Sequence, residues 1–370
     1  IQVEAVCDSE KRKTEKDYCG IKTIHTPNLK SFFPKARFLI ASQHVQECAD
    51  QLTDMGYNEF YSCLELLENY DVKKYTHKTT QEYMMSRIEV CKKSHKFYFD
   101  DTKTYMRSLD VMVTTKCSLK CRNCSNLMQY YTDAKNTSHN EILKSIEILN
   151  NNVDYISEFR VIGGEPLMNK GWADVVNNIS VLRPEAKIFV YTNGTIAPKD
   201  NQLESFQGKK VNFTITDYGK LSRNVNKMIE KLKYYNISYD RQPAEDWTDC
   251  SRIKHHKRST KDLKEVFKQC CVKYIYTLLH GKLYRCPFIA NAANLNAIPD
   301  NPYNYVNLMS EKKDLKKELT RLIKNSKFFP ACDFCDGRPY DPSSKLGYDG
   351  KGIIAAGEQV SEPIPYKIYN

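Results

Sequence analysis

A chain of 370 residues exceeds one small module and has room for roughly two or three domains. Its hydrophobic content of 41% supports a sizeable core and excludes global disorder, and no run reaches the about 18 apolar residues that a membrane helix needs. The formal charge of +11 is interleaved with acids, as in EKKDLKKELTRLIKNSK, which reads as the solvated face of a helix; the 25 tyrosines alone do not make a nucleic-acid groove, so neither nucleic acid nor membrane is expected as a partner.

Residues 1–70 read as alternating strand and helix. IQVEAVCD is an apolar strand ending in an acid, ARFLIAS a second buried strand, and HVQECADQLTDMGY has helical spacing closed by Gly56. An acid such as Asp8 at a strand end is where a Rossmann unit holds a ribose, but the glycine-rich turn before it is absent. A scaffold or docking segment, Rossmann-like in its alternation, is the expectation. Residues 71–107 are polar, tyrosine-rich and helical in character, a connector.

From residue 108 the pattern repeats more regularly. LDVMVTT is an apolar strand, and TSHNEILKSIEILNN carries a capping box, Ser138 with Glu141. EFRVIGGEP, KIFVYTNGT, VNFTITDYG and ISYD are strands, with the helix LSRNVNKMIEKLKYY before the last. Strand–helix alternation with short loops predicts a parallel sheet, doubly wound or curled toward a barrel, with its chemistry at the carboxyl edge. RIKHHKRST, containing His255 and His256, reads as an exposed basic loop and not a metal site. Further on, VKYIYTLLHGKLYR is a hairpin turning at His280–Gly281, and the helix SEKKDLKKELTRLIKNS precedes ACDFC.

The 14 cysteines fall into groups. Cys7, Cys19, Cys48, Cys63 and Cys91 are scattered singly. Cys117, Cys121 and Cys124 share the short loop TTKCSLKCRNCSNL. Cys270, Cys271, Cys286, Cys332 and Cys335 gather late, and Cys250 stands alone. The chain begins at Ile1 rather than Met and opens on no signal-peptide pattern, so the compartment is argued from the cysteines: tight groups at metal-ligand spacing suggest metal clusters in a reducing, cytoplasmic setting. A structural zinc wants four protein ligands and a disulfide two sulfurs. Three thiolates can hold three irons of a 4Fe–4S cube and leave the fourth iron for a ligand that binds and reacts.

This CxxxCxxC, set directly after a first strand and followed by GGEP and YTNGT, resembles the radical S-adenosylmethionine (radical SAM) superfamily over roughly residues 108–245. The resemblance implies an α/β fold with a partial (β/α)6 TIM-like barrel as radical SAM core over 108–258. It also implies SAM chelating the unique iron of a 4Fe–4S cluster, a 5′-deoxyadenosyl radical, and an electron donor such as flavodoxin or ferredoxin. Gly163, Gly164, Glu165 and Pro166 match the segment that receives the methionine amino group. Thr192, Asn193 and Gly194 lie where the family contacts ribose or methionine. The residue before the third cysteine is commonly aromatic in the family, to pack on adenine; here it is Asn123.

Cys271, Cys286, Cys332 and Cys335 read as a complete four-thiolate set, for a cluster or for zinc. Their arrangement over 259–370 resembles the twitch domain, the one-cluster relative of the SPASM extension, which implies one auxiliary 4Fe–4S cluster. Cys270 competes with Cys271 for the first position, and the family spacing to the hairpin favours Cys271. Cys250 reads as a buried free thiol or a hydrogen-atom donor, and Arg241 as a surface ion pair or a contact for substrate phosphate or carboxylate. Residues 1–70 resemble the later portion of Rossmann-like domains in sugar-modifying bacterial enzymes. The resemblances together imply oxidation or epimerisation at a carbinol carbon of a small carbohydrate-type substrate, a nucleotide sugar or an aminocyclitol. Peptide modification is the runner-up, and a zinc-binding interaction protein the reading of another class.

Overall fold

The structure, a computed structural model, describes residues 2–9, 14, 17–18, 20–75, 80–310, 314–339 and 348–369. Cys19 and the start of the expected 310–326 helix, residues 311–313, lie outside them. The chain divides into two compact units, Ile1–Asp100 and Asp101–Asn370.

In the first unit, β1 (Ala5–Asp8) pairs in parallel with β2 (Lys22–His25), and β3 (Phe38–Ile40) with β4 (Phe60–Ser62). The helices are α1 (Leu29–Phe32), α2 (Val45–Asp54), α3 (Leu64–Glu68), α4 (Val72–Tyr75) and α5 (Gln81–Tyr98). Ile24, Ile40, Val45, Ala49 and Leu52 form its small core. Gly56 closes α2 with φ +78°, as its place in the sequence requires. The alternation of strand and helix is present, but among the described residues the strands pair two by two and do not make one Rossmann sheet.

The second unit is built on β6 (Ser108–Thr114), β8 (Glu158–Gly163), β9 (Lys187–Thr192), β10 (Val211–Asp217), β11 (Ser238–Pro243), β13 (Ile275–Leu279), β14 (Lys282–Tyr284) and β15 (Tyr305–Asn307). They form one sheet in the order β11-β10-β9-β8-β6-β13-β14-β15. From β11 to β13 every neighbouring pair is parallel; β14 and β15 are antiparallel additions. Short pairs, β5 (Tyr105–Met106) with β7 (Tyr155–Ile156) and β12 (Trp247–Thr248) with β16 (Ile353–Ile354), lie outside it. The principal helices are α6 (His139–Asn152), α7 (Trp172–Leu182), α8 (Asp200–Glu204), α9 (Val225–Tyr234), α10 (Thr260–Lys268), α11 (Pro287–Asn294) and α12 (Leu315–Thr320). All seven residues of β6 are buried, as befits a parallel strand covered on both faces. The sixth parallel strand, β13, comes from beyond residue 258 and docks beside β6.

Two local expectations change, and one holds. Ser138 is the N-cap of α6, but its side chain makes no cap hydrogen bond, and Glu141 turns to His280 instead, Oε1 to Nδ1 3.5 Å. The late helix is α-helical only over Leu315–Thr320 and continues as a π-turn over Arg321–Asn325. The hairpin turns at His280–Gly281 as expected, with φ of +47° and +66°, the paired positive values of a type I′ turn.

Candidate metal centres

At the end of β6 the chain enters the cysteine loop, and the loop lies directly on the end of β8. Gly164 N donates to Thr114 O (3.1 Å) and Glu165 N to Lys116 O (2.8 Å). A Cβ at Gly163 would stand 2.5 Å from Thr114 O, and one at Gly164 would stand 2.6 Å from Cys117 Cβ. The glycine pair therefore has a reason inside the chain: only a residue without a side chain lets the cysteine loop sit this close.

Glu165 is fully buried and joins this strand end to the next. Its Oε1 accepts from Thr192 Oγ1 (2.9 Å) and Leu167 N (3.2 Å), and its Oε2 from Asn193 N (2.7 Å). Burial pushes the carboxyl up to about 7 against the pull of those bonds. Three of its roughly four acceptor directions are used, which leaves one for a further donor. Asn193 Nδ2 reaches Cys117 Sγ (3.7 Å) and Ser118 Oγ (3.2 Å). Gly194 holds φ +69°, where a Cβ would strike Val225. GGE, TNG and the triplet form one hydrogen-bonded body.

The three sulfurs are supplied with N–H donors. Cys117 Sγ accepts from Leu119 N (3.5 Å) and Cys121 Sγ from Gln359 Nε2 (3.2 Å), while the backbone amides of Met128, Asn126 and Leu127 pull the Cys124 thiol down against its burial. Burial raises all three thiols, Cys121 to about 11. Buried sulfurs that are protonated alone, yet ringed by donors, suit thiolates deprotonated by a metal. Gln359 was not visible as a partner in the sequence. Its segment pairs with the loop through Arg122 N to Glu358 O (2.7 Å) and Val360 N to Lys120 O (2.8 Å). Tyr218, at the end of β10, was also missed. Burial, and after it the charges of Cys121, Cys124, Cys117 and Glu165, raise its phenol, and its ring meets Trp247 edge-on at 6.1 Å. An aromatic thus stands near the triplet although Asn123 supplies none.

The second set closes on itself. Cys270, Cys286, Cys332 and Cys335 line a small enclosed cavity together with Arg285 and Arg338. Cys271 does not: it is exposed, with its amide bound to Arg338 O (2.7 Å), while Cys270 bridges to Pro339. Of the two adjacent cysteines where α10 gives way to the turn before β13, it is Cys270 that lines this wall. Cys286 is the N-cap of α11 and accepts from Ile289 N (3.5 Å); Cys332 lies within the short 3-10 turn Pro330–Phe334 and Cys335 caps its end. Burial lifts Cys286 and Cys335 to about 11. Arg285 and Arg338 are each only 4% exposed, and Arg285 Nε and Nη1 and Arg338 Nε have no hydrogen-bond partner. Buried cations with orphaned N–H groups beside four thiols require negative charge, which a four-thiolate metal centre supplies. Arg338 also donates from Nη2 to Ser125 O (2.6 Å), on the triplet's own loop.

The basic run is a loop, exposed at Lys254, His255, Lys257 and Ser259, but several of its side chains find partners. Arg252 pairs with Asp336 (2.8 Å), His255 stacks on Phe334, and the His256 side chain is 3% exposed between Asp336 and Asp349. Arg258 Nη1 donates to Cys332 O and Cys335 O (3.0 and 2.7 Å). Its positive charge faces the acids around the second cysteine set, and that pairing lay too far along the chain to read. Cys250 is buried, its thiol raised by burial, with Arg338 and Cys271 as its nearest electrostatic neighbours. Arg241 Nε and Nη2 hold Asp217 Oδ2 across neighbouring strand ends, at 2.9 and 2.5 Å.

Residues 111–283 match the family model of the radical SAM superfamily. The match covers just under half of the chain. Its extent includes β13 and reaches into β14. The match supports SAM and a 4Fe–4S cluster as cofactors, for which the Cys117, Cys121 and Cys124 loop has the donor set described. Among curated proteins the chain is similar to the GTP 3′,8-cyclase of Streptomyces coelicolor, 31% identical over 23% of this chain and 26% of that protein. It is also similar to that of Petrotoga mobilis, 36% identical over 26% and 30%, and to that of Alkaliphilus metalliredigens, 30% identical over 30% and 36%. The chain thus spans about a quarter to a third of the length of these relatives. Similar solved structures include BtrN in complex with AdoMet and 2-DOIA, at 14% identity and a TM-score of 0.43 over 68% of this chain and 100% of that one. Native anSMEcpe with bound AdoMet is another, at 11% and 0.44 over 67% and 93%. No helix among the described residues is long and apolar enough to cross a membrane.

Proposed function

We propose that the chain is a radical SAM oxidoreductase that dehydrogenates a carbinol carbon of a carbohydrate, nucleotide sugar or aminocyclitol, with epimerisation the second outcome of the same abstraction. The observation that carries this is Arg338, which bonds the triplet loop at Ser125 O and lines the four-cysteine cavity as well. Dehydrogenation removes two electrons from a substrate and SAM homolysis accounts for one, so a second redox centre held beside the first meets the remaining demand. When bound, a SAM-ligated cluster supplies the abstracting radical, and a twitch-type auxiliary cluster supplies the electron acceptor.

The chain's own residues have these parts. Cys117, Cys121 and Cys124 hold the first centre; Cys270, Cys286, Cys332 and Cys335 hold the second. The spare acceptor direction of Glu165 takes the methionine ammonium with the Gly163 and Gly164 backbone, and Pro166 starts the turn that follows. Thr192, Asn193 and Gly194 border the ribose, and Tyr218 with Trp247 offers the aromatic surface for adenine. Arg241, held by Asp217, orients substrate hydroxyl or phosphate oxygens at the strand edge. Cys250 is buried beside the second set, which favours dehydrogenation over hydrogen return from its thiol. The working setting is the cytoplasm, with flavodoxin or ferredoxin as electron donor.

The printed activity of the curated relatives favours one second reading, a nucleotide substrate. Anaerobic turnover with nucleotide sugars, aminocyclitols and GTP, followed by mass spectrometry, tests both. A ketone two mass units below one sugar or cyclitol, formed with stoichiometric 5′-deoxyadenosine, is the expected result. Replacing Cys332 and Cys335 by Ala, with folding checked by circular dichroism, should spare 5′-deoxyadenosine and stop ketone. Turnover of GTP alone, or ketone at the undiminished rate in that variant, would overturn the proposal.

A further inference from the structure

Two cysteines scattered singly in the sequence, Cys63 and Cys91, meet a histidine in the first unit. One ligand atom each from Cys63, Cys91 and His95 lies within 4.8 Å of the other two, and all three residues are buried. Cys91 and His95 are one turn apart on α5 and so share a face; Cys63 sits where β4 passes into α3, which packs on α5. We propose that Cys63, Cys91 and His95 form a zinc site, separate from both iron–sulfur sets and independent of the proposed reaction.

The imidazole is prepared for the role. His95 Nε2 lies 2.8 Å from Ser42 O, and a carbonyl only accepts, so the ring proton is on Nε2 and Nδ1 keeps its lone pair. In the metal-free chain Nδ1 takes a hydrogen bond from Ser62 Oγ at 2.9 Å. A ligating histidine whose other N–H donates to a backbone carbonyl is the usual support of a metal site. Burial holds this imidazole below its ordinary range, hence neutral, as a ligand must be. The two sulfurs face each other within the same short span as the imidazole. Both thiols release their protons to solvent when the metal binds.

Two soft sulfurs and one imidazole suit zinc, whose fourth tetrahedral position falls to water. An open cleft whose lining includes Ser62, His95, the carboxylates of Glu65, Glu68 and Asp100, and one cation, Lys96, reaches the imidazole. Glu65 and Glu68 are on α3 itself.

The full chain, with its iron–sulfur cysteines first loaded anaerobically, is dialysed with zinc chloride and then against a weak chelator. Roughly one zinc per chain should remain. Its X-ray absorption edge should give two sulfurs at about 2.3 Å with nitrogen or oxygen at about 2.0 Å. Cys91→Ser and His95→Gln should each lower retained zinc about tenfold or more with iron unchanged. Absence of retained zinc overturns the proposal, as does an all-sulfur shell, which would assign the metal to the iron–sulfur cysteines. A Cys63–Cys91 disulfide in the unreduced native chain, detected by mass spectrometry, overturns it as well. The shell of the wild-type protein decides even where a variant fails to fold.

Discussion

The two cysteine sets of the second unit solve the burial of sulfur differently. The triplet relies on hydrogen bonds: amides of its own loop and the Gln359 side chain point at the sulfurs, and two glycines let the loop rest on a strand end. The four-cysteine set relies on charge: an enclosed cavity with Arg285 and Arg338 in its wall. A hydrogen-bonded loop at a sheet edge can leave one metal position open to a ligand that comes and goes. An enclosed cavity with its cations built in suits a centre that exchanges nothing. Openness and closure here follow from where the counter-dipoles come from.

The largest effect should come from removing the open set. With Cys117, Cys121 and Cys124 all replaced by Ala, the reconstituted chain should lose about half of roughly eight irons and all reductive SAM cleavage, measured as 5′-deoxyadenosine. Retention of SAM cleavage would dissolve the distinction between the sets. Next comes the closed set. Cys270→Ala should lose about half the iron, whereas Cys271→Ala, on the exposed side, should lose little. The reverse result would return Cys271 to the wall.

Gly164→Ala probes the support of the loop. The new methyl meets Lys116 O and Cys117 Cβ, both backbone-fixed, and should cost about 1–3 kcal/mol of stability to thermal unfolding. Iron at the triplet should fall with it while the closed set keeps its own, a split that iron analysis with electron paramagnetic resonance resolves.

The difference between the sets also governs what could be read in the chain. The triplet, the GGEP and the TNG are local, and each follows a strand whose apolar run is plain, so their meeting at one edge followed from the alternation of strand and helix. Cys270 against Cys271 is a matter of which way two adjacent side chains turn, and family spacing favoured the one that ends exposed. The burial of His256 depends on Asp336 and Asp349, and Gln359 reaches a loop more than half the chain away; charge and spacing within a window hold no trace of either. Ser138 shows the opposite failure. The capping-box pattern was there, but His280 from the hairpin drew Glu141 away from it.

The smallest effect tests whether hydrogen bonds are what the open set depends on. Gln359 Nε2 donates to Cys121 Sγ, and its Oε1 accepts from Lys120 N at 2.7 Å, so one side chain satisfies a sulfur and a loop amide at once. Gln359→Ala removes both bonds and should cost about 0.5–1.5 kcal/mol for each, the lower end applying because Lys120 is exposed and water replaces its partner. The backbone pairing of Arg122 with Glu358 and Lys120 with Val360 persists, so the loop keeps its course and the iron stays. What should change is the potential of the triplet's centre, since a sulfur that loses an N–H donor holds negative charge less well and the reduced state is disfavoured. A redox titration should therefore find a lower midpoint for the triplet in Gln359→Ala and an unchanged one for the four-cysteine set. Equal shifts in both would mean that the tail acts on the whole unit rather than through this one bond.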